Sequence, residues 1–157
     1  MKASASDAQI EKFTLNVDDV ILTKDSEDPT DIAIPALVSE KIDNLVCGYH
    51  LTLVKPEKEF LNGKYLFRLF ESNDFNISFQ LEANGITRFG IGSESFTNVP
   101  ILLPSPQEQT QIANFLDQKT TELDNTIEQL EQQIRLLKKE SIDLINETRT
   151  KGINNDR

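Results

Sequence analysis

The sequence predicts an α+β fold, in which residues 1–104 form a small globular domain and residues 105–152 form one long helix. Short apolar runs of period two in the first part indicate strands, and one run with spacings of three and four indicates a helix. From residue 107 to residue 151 the chain contains no glycine or proline, which allows an uninterrupted C-terminal helix. Residues 153–157 form a short tail.

The N-terminal half predicts three strands. The first dozen residues are small and polar and predict a frayed start. Residues 20–23 are a β-branched run typical of a buried strand. Residues 24–31 are polar and contain a proline, which predicts a turn, and the apolar residues of 32–38 predict a second strand. Residues 46–54 alternate between two faces and predict a third strand.

The following segments change period twice. Apolar residues recur at spacings of three and four over residues 60–70, which predicts an amphipathic helix. Phe75, Ile77, Phe79 and Leu81 then alternate, which predicts a further strand over 75–81. Residues 83–92 contain three glycines and predict a loop or an irregular strand. The apolar stretch 96–103 predicts a final strand or a docking segment.

Both ends of the long helix have clear local signals. Ser105 stands at the N-cap, Pro106 at the first helical position and Glu108 at the third, which together form a capping box with a pre-set first turn. Lys151 supplies a basic last turn, and Gly152 can adopt the left-handed conformation that ends a helix. The intervening residues can form a helix of about 70 Å.

The long helix has a heptad pattern that predicts pairing with a second helix, that is, a coiled coil. A helix of this length cannot bury its narrow apolar stripe against the small preceding domain alone, and its remaining faces are polar. The alternative is a lone solvated helix that is stabilised by charge pairs. Polar positions at Thr120, Ser141 and Thr148 would weaken the coil locally and could define its register. The apolar seam comprises Leu116, Leu123, Ile127, Leu130, Ile134, Leu137 and Leu144.

The charge of the chain is unfavourable for general nucleic-acid binding. Its formal net charge is −10, and residues 1–105 carry nine Lys and Arg against sixteen Asp and Glu. A DNA-binding protein usually shows a basic stripe, which this sequence lacks. Any contact with DNA must therefore use a few placed basic side chains or a more basic partner.

Cysteine content and hydropathy predict a cytoplasmic chain. Cys47 stands alone, so neither a disulfide framework nor a cysteine-based metal cluster is expected. No stretch approaches the roughly 20 apolar residues of a membrane span, and the first residues do not show the order of a secretion signal. We expect a reducing compartment, no membrane partner and no metal.

The sequence offers little for catalysis. His50 is the only histidine and lies within a predicted strand, so we expect a packed structural role for it rather than a catalytic one. A nucleophilic triad would have no other histidine as its base. The sequence also lacks the HExxH, DxDxDG and GxxxxGK[ST] motifs of metal and phosphate sites. We therefore expect a chain that is not an enzyme.

One segment combines groups that can contact DNA. Residues 84–90 bring a glycine, a hydroxyl, a guanidinium and an aromatic ring into one predicted loop. Such groups reach phosphates and base edges in protein–DNA complexes. A glycine-rich hairpin with one solvated arginine is an equally good explanation of the same residues.

The order of several segments resembles a known family. They are Val20-Ile21-Leu22-Thr23-Lys24, Gly48-Tyr49-His50-Leu51, Ala83-Asn84-Gly85-Ile86-Thr87-Arg88 and Asn98-Val99-Pro100-Ile101-Leu102-Leu103-Pro104, then Glu108-Gln109, Ile112-Ala113 and Phe115-Leu116-Asp117. Over Asp19–Gly152 the chain resembles the C-terminal part of a target recognition domain, with its following helix, from the specificity subunit of type I restriction–modification systems. The stretch from Pro106 to Asp117 is the most specific part.

The resemblance implies a division of labour between subunits. Specificity subunits of this family are not catalytic: each mixed α/β recognition domain reads one half of a split target in double-stranded DNA. Their long helices pair antiparallel and dock methyltransferase subunits, which bring S-adenosylmethionine, and a separate restriction subunit cleaves. A complete subunit has two domains and two helices, so this chain resembles a half-subunit. Family domains usually have several dozen residues before the strand that corresponds to 20–23, so we expect an incomplete, N-terminally shortened domain.

The resemblance also suggests residues for both tasks. We expect Lys24, Gly85, Thr87 and Arg88 to face DNA, and the helical seam to carry assembly with a second copy or another specificity half-subunit. Arg88 is the best candidate because a guanidinium grips phosphate or guanine with two hydrogen bonds. No cofactor is expected in this chain. The alternative is a shortened interaction protein, or decoy, that pairs through its helix without reading DNA.

Overall fold

A computed structural model describes residues 5–97 and 99–153 of the chain. The first four residues of the predicted frayed start lie outside this range. So do Asn98 of the predicted apolar segment and the last four residues of the predicted tail. The protein consists of two compact units, Met1–Asn114 and Phe115–Arg157.

The structure confirms an α+β fold that ends in one long helix. Small antiparallel sheets and three shorter helices precede this helix within the described residues, and short 3-10 turns lie at Pro29–Asp31 and Ser93–Phe96. The elements in chain order are α1 (Asp7–Phe13), β1 (Val20–Thr23), β2 (Asp25–Ser26), β3 (Pro35–Leu37), β4 (Leu51–Val54), α2 (Gly63–Glu71), α3 (Asn73–Glu82), β5 (Phe89–Gly90) and α4 (Pro106–Lys151).

The main sheet has three antiparallel strands in the order β3-β1-β4. Val20 and Leu22 of the central strand are fully buried, as the β-branched sequence predicts, and Leu22 pairs with Thr52 of β4. The outer side of β4 pairs with no other described strand, so β4 is an edge strand. A second, two-stranded sheet joins β2 to β5, with Asp25 opposite Gly90.

The strand predicted over residues 75–81 is wrong, because these residues belong to helix α3. Phe79 is only 1% exposed and lies in an aromatic cluster with Phe70 and Phe96, whereas Leu81 is 80% exposed. The amide of Asn76 is buried as well, and its Nδ2 donates to the carbonyls of Ala33 and Phe70 at 2.7 and 3.3 Å. The alternation of apolar residues therefore does not mark one buried face, and a spacing of four selects the core side chains.

Three further expectations differ from the structure. Residues 7–13 form helix α1, which Ser6 and Gln9 start with a capping box, in place of a frayed segment. The strand predicted over 46–54 is shorter and spans only Leu51–Val54, because the chain turns at residues 49 and 50. The described residues of the apolar stretch 96–103 contain no strand.

The start of α4 is built as the sequence predicts. The backbone and hydroxyl of Ser105 donate to Glu108 Oε2 at 3.0 and 2.7 Å, and the Glu108 N–H donates back to Ser105 Oγ. At the other end Gly152 has a φ of 77°, and its N–H donates to Thr148 O at 2.9 Å. Both termini thus satisfy backbone groups that a helix leaves unpaired.

Gln109, one turn into α4, is fully buried and makes three hydrogen bonds. Its Oε1 accepts from the Asn62 N–H at 2.8 Å, and its Nε2 donates to the carbonyls of Phe60 and Pro104 at 2.8 and 2.9 Å. Asn62 is also the N-cap of α2. This single amide therefore connects the first turns of α4 to the loop that starts α2.

We expect Gln109→Ala to lower the free energy of unfolding of the globular unit by about 3 kcal/mol, because it removes a fully buried side chain and leaves three part-buried backbone groups without this partner. Chemical denaturation of the full chain measures this loss. Gln111→Ala changes an exposed residue of the same helix and is the matched control, with an expected change within about 0.5 kcal/mol. Equal losses in the two variants would contradict the role of Gln109.

Candidate nucleic-acid interface

Three segments that are distant in the sequence meet where β1 ends. Lys24 leaves β1, and its N–H donates to His50 O at 3.1 Å in the turn before β4. The carbonyl of Lys24 accepts from the Ile91 N–H at 3.0 Å, just after β5. The pairing of β2 with β5 adds to these bonds. Backbone hydrogen bonds thus place the loop 84–90 beside the turn 47–50.

Side chains from these segments form an ionic cluster of Asp25, His50 and Arg88. Asp25 Oδ1 accepts from Arg88 Nε at 2.9 Å and also from Arg88 Nη2, and it lies 2.6 Å from His50 Nδ1. Arg88 Nη2 lies 3.0 Å from the same histidine nitrogen. The Asp25 side chain is only 18% exposed, whereas that of Arg88 is 46% exposed. The less exposed carboxylate therefore holds one edge of the more exposed guanidinium.

The prediction that His50 is a packed structural residue is wrong. The side chain of His50 is 60% exposed, because the chain turns before β4 begins and places the ring at the surface. It contacts the Asp25 carboxylate, the Arg88 guanidinium and, edge to face, the ring of Tyr49 at a centroid distance of 5.2 Å. His50 is thus part of a surface cluster that the linear pattern does not reveal.

The cluster changes the acidity of its carboxylate. Partial burial alone would raise the pKa of Asp25. The hydrogen bonds and positive charges of Arg88 and His50 outweigh this effect and hold the pKa below its ordinary value of 3.8. Asp25 is therefore ionised at neutral pH and is a permanent partner for the guanidinium.

Lys24 and Tyr49 form the second contact of this surface. Lys24 Nζ lies 4.7 Å from the centroid of the Tyr49 ring, within the range of a cation–π interaction, and Tyr49 is 80% exposed. An exposed aromatic ring beside a cation can contact sugar and phosphate together. The structure thus brings Lys24 and Arg88 to one surface.

The loop that carries Arg88 is closed by its backbone. Asn84 and Gly90 exchange two hydrogen bonds of 3.1 Å each. A Cβ on Gly85 would collide with the carbonyl of Arg88, so glycine is required for this tight turn. Ile86 is 95% exposed at the tip, and Thr87 is exposed beside it. Gly85 therefore shapes the loop, and Thr87 is presented to solvent.

The arrangement can bind an anion or a base edge through Arg88. Its Nε and Nη2 contact Asp25, and Nη1 makes no hydrogen bond within the described residues. Arg88 Nη2 also lies 3.0 Å from His50 Nδ1, but an Nδ1 that donates its proton to Asp25 cannot accept from Nη2. With His50 in that state, the end of the guanidinium that carries Nη1 and the second Nη2 proton can donate two parallel hydrogen bonds. The sequence did not predict Asp25, Tyr49 and His50 as members of this site. Only the polar character of the turn beside Gly48 could have indicated an exposed position for the last two.

The long helix presents its predicted seam to solvent. Leu116 is half-buried, and the six other apolar seam residues are between 49% and 63% exposed. Leu136, Ile142 and Ile145, which lie off the seam, are also exposed. This amount of exposed aliphatic surface on one helix is typical of a surface that binds another helix.

The described residues contain neither a metal-binding cluster nor a membrane-spanning helix. No group of three or more His, Cys, Asp or Glu side chains is arranged to hold a metal ion there. None of the helices in the described part of the chain has the length and hydropathy needed to cross a membrane.

The ionic cluster generates a pH prediction. Because the folded pKa of Asp25 is below 3.8, the cluster stabilises the fold above that pH and loses this contribution as the pH falls through the folded value. We expect Arg88→Gln to raise the pKa of Asp25, as followed by carboxyl chemical shifts. Asp28, whose pKa is lowered by hydrogen bonds from Thr30, is the control and should not change. An unchanged Asp25 titration would contradict the geometry.

Comparison with known proteins identifies the family. The family described as the type I restriction modification DNA specificity domain matches residues 6–136. The MjaX type I restriction enzyme specificity subunit assigned to Methanocaldococcus jannaschii is 26% identical over 145 residues, which are 92% of this chain and 33% of that protein. The chain thus spans about a third of the length of this curated relative. Because the match runs from α1 into α4, the chain belongs to the type I restriction modification DNA specificity domain family.

Proposed function

We propose that the protein is a non-catalytic, DNA-sequence-recognition half-subunit of a type I restriction–modification complex. The observation that carries this proposal is the family match, which includes both the globular unit and most of the long helix. In this proposal residues 1–104 are the recognition domain, residues 105–152 are the spacer helix, and 153–157 are a tail.

The surface around Arg88 supports a role in reading DNA. Asp25 holds the Nε edge of the guanidinium, so the side chain loses less conformational freedom when it binds. The opposite end matches the N7 and O6 acceptors of a guanine in the major groove. Lys24 and Thr87 would contact phosphates, and Gly85 would let the loop backbone approach the duplex.

The exposed seam supports a role in assembly. We propose that α4 pairs antiparallel with a second specificity helix, from its own copy or from another half-subunit. Burying a leucine or isoleucine side chain contributes about 1.5–3 kcal/mol, so the seven apolar seam residues can drive this pairing. The paired helices would dock methyltransferase subunits, which carry S-adenosylmethionine, and a separate restriction subunit would cleave DNA.

Two observations favour the alternative of an interaction protein that does not read DNA. Residues 1–105 have seven more acidic than basic side chains, and Asp25 already neutralises much of the charge of Arg88. Such a decoy would occupy the helix-pairing surface of a complex without contributing recognition. Sequence-specific retention of DNA by the complex assembled with this chain would exclude it.

The reading role predicts the effect of changing Arg88. In the complex assembled with cognate methyltransferase subunits, Arg88→Ala should weaken binding to the target site by roughly ten- to a hundredfold. Arg88→Lys keeps the charge but not the two parallel hydrogen bonds, so it should retain affinity for random DNA and lose discrimination. Gel-shift and site-specific methylation assays measure both effects. Unchanged discrimination in both variants would exclude Arg88 as a base contact.

The assembly role predicts the effect of a charge on the seam. Light scattering of the free chain should give a mass near twice 17.8 kDa if the helix pairs with its own copy. Ile134→Asp should then shift the mass towards a monomer, because it places a carboxylate in the seam. Leu136→Asp introduces the same charge two residues further along the helix and off the seam, and it should leave the mass unchanged. If the free chain is a monomer, the same pair of variants is compared for binding to the methyltransferase and specificity partners.

A further inference from the structure

A cleft of about 610 Å³ lies between the end of α1 and the edge strand β4. All four residues of β4 form its floor, and Phe13 and Phe96 contribute apolar walls. Three lysines line it together with the small polar residues Ser93 and Thr97. These lysines, which define the basic cleft, are Lys12, Lys24 and Lys55.

The basic cleft is a local exception in an acidic domain. It collects three of the nine Lys and Arg side chains of residues 1–105, and none of the described carboxylate residues lines it. Elsewhere in this unit Lys58 pairs with Asp18, and Arg88 pairs with Asp25. The three cleft lysines make no ion pair with a carboxylate within the described residues. A cleft with positive charge and low-dielectric walls concentrates the field and attracts an anion.

The lysines are positioned by contacts that leave their charges available. Lys55 Nζ donates to the backbone carbonyl of Lys12 at 3.5 Å, which places the Lys55 ammonium beside the Lys12 backbone. Lys12 Nζ lies 5.3 Å from the centroid of the Phe13 ring, and Lys24 Nζ lies above Tyr49. The Lys55 ammonium is thus held by a carbonyl, and those of Lys12 and Lys24 by aromatic rings. None of these partners carries a charge that would neutralise the lysine.

The spacing of the charges fits a polyanion better than a single small anion. Lys24 and Lys55 flank the two ends of β4, so roughly 13 Å of extended chain separates them. One strand of a DNA duplex carries a phosphate at every nucleotide, so a cleft of this length can contact more than one phosphate. The free edge of β4 and the hydroxyls of Ser93 and Thr97 are further hydrogen-bonding groups along this length.

We propose that the basic cleft binds the phosphodiester backbone of one DNA strand and so anchors the domain beside the loop of Arg88. This inference rests on the proposed function and assigns a site to it. Lys24 joins the two surfaces, because it lines the cleft and directly precedes Asp25, which holds Arg88. The cleft contributes affinity without sequence preference, and the Arg88 loop contributes discrimination.

The test compares two double variants of the full chain with equal loss of charge. Lys12→Gln with Lys55→Gln removes two cleft lysines, and Lys41→Gln with Lys58→Gln removes two lysines from outside the cleft. Fluorescence anisotropy with a random-sequence duplex gives the affinity at several salt concentrations. Each lost phosphate contact lowers the slope of log affinity against log salt by about 0.9, so the cleft variant should lose about 2 from its slope. The control variant should keep the slope of the wild type.

A second arm distinguishes a DNA strand from a small phosphate. Inorganic phosphate and a nucleoside monophosphate are titrated into the wild-type chain bound to the duplex, at matched ionic strength. A DNA-strand site predicts that neither releases the duplex beyond the effect of ionic strength. Release by inorganic phosphate at concentrations that leave the cleft variant unaffected would show a small-anion site and would overturn the assignment to DNA.

The remaining outcomes separate this inference from the proposed function. An unchanged salt slope in the cleft variant, in a complex that still retains its target sequence, overturns the basic cleft and leaves the proposed function intact. If the wild-type chain binds no duplex at about 50 mM salt, either alone or with methyltransferase subunits, both are overturned.

Discussion

The buried amide of Gln109 connects the two structural elements on which the rest of the globular unit depends. Its hydrogen bonds to residues 60 and 62 define the loop from which α2 starts, and its bond to Pro104 defines the approach to α4. Tyr65 of α2 adds a bond from its hydroxyl to Leu102 O at 2.9 Å. Because α2 supplies Phe70 to the aromatic core, the start of α4 and the core are parts of one network. A fully satisfied buried polar network specifies one arrangement, since every alternative leaves polar groups without partners.

The excess of acidic over basic side chains is the second constraint on this domain. Under the proposed function, an acidic domain that repels DNA overall has to attract a DNA strand at a few positions. At these positions carboxylates are either absent or hold a basic side chain in place. At the Asp25–Arg88 pair a carboxylate holds the basic side chain: it reduces the local positive charge but orients the guanidinium. In the basic cleft between α1 and β4, no described carboxylate lines the site of the three lysines. Recognition by this domain would therefore depend on the placement of a few charges rather than on their total number.

Local signals predicted much of the fold, and long-range contacts account for most of what they missed. The caps at Ser105 and Gly152 and the strand at 20–23 depend on neighbouring residues, and the structure has them as predicted. Helix α3 was misassigned because Phe75 and Phe79 satisfy both a period of two and a spacing of four. The cluster of Asp25, His50 and Arg88 joins positions 25 and 63 residues apart, which no local pattern can reveal. The family resemblance suggested Lys24 and Arg88 as residues that face DNA. The groups that hold them, Tyr49 and Asp25, come from other segments of the chain.

The backbone closure of the loop at Asn84 and Gly90 has a consequence for how such a domain can diverge. Main-chain hydrogen bonds and Gly85 determine the path of this loop, and they do not depend on which side chains stand at its tip. Exposed positions such as Ile86 and Thr87 can be exchanged at a cost of about 0.5 kcal/mol or less in stability. A lineage can therefore vary the chemistry of this tip through single substitutions while it keeps the frame, the core and the helix unchanged.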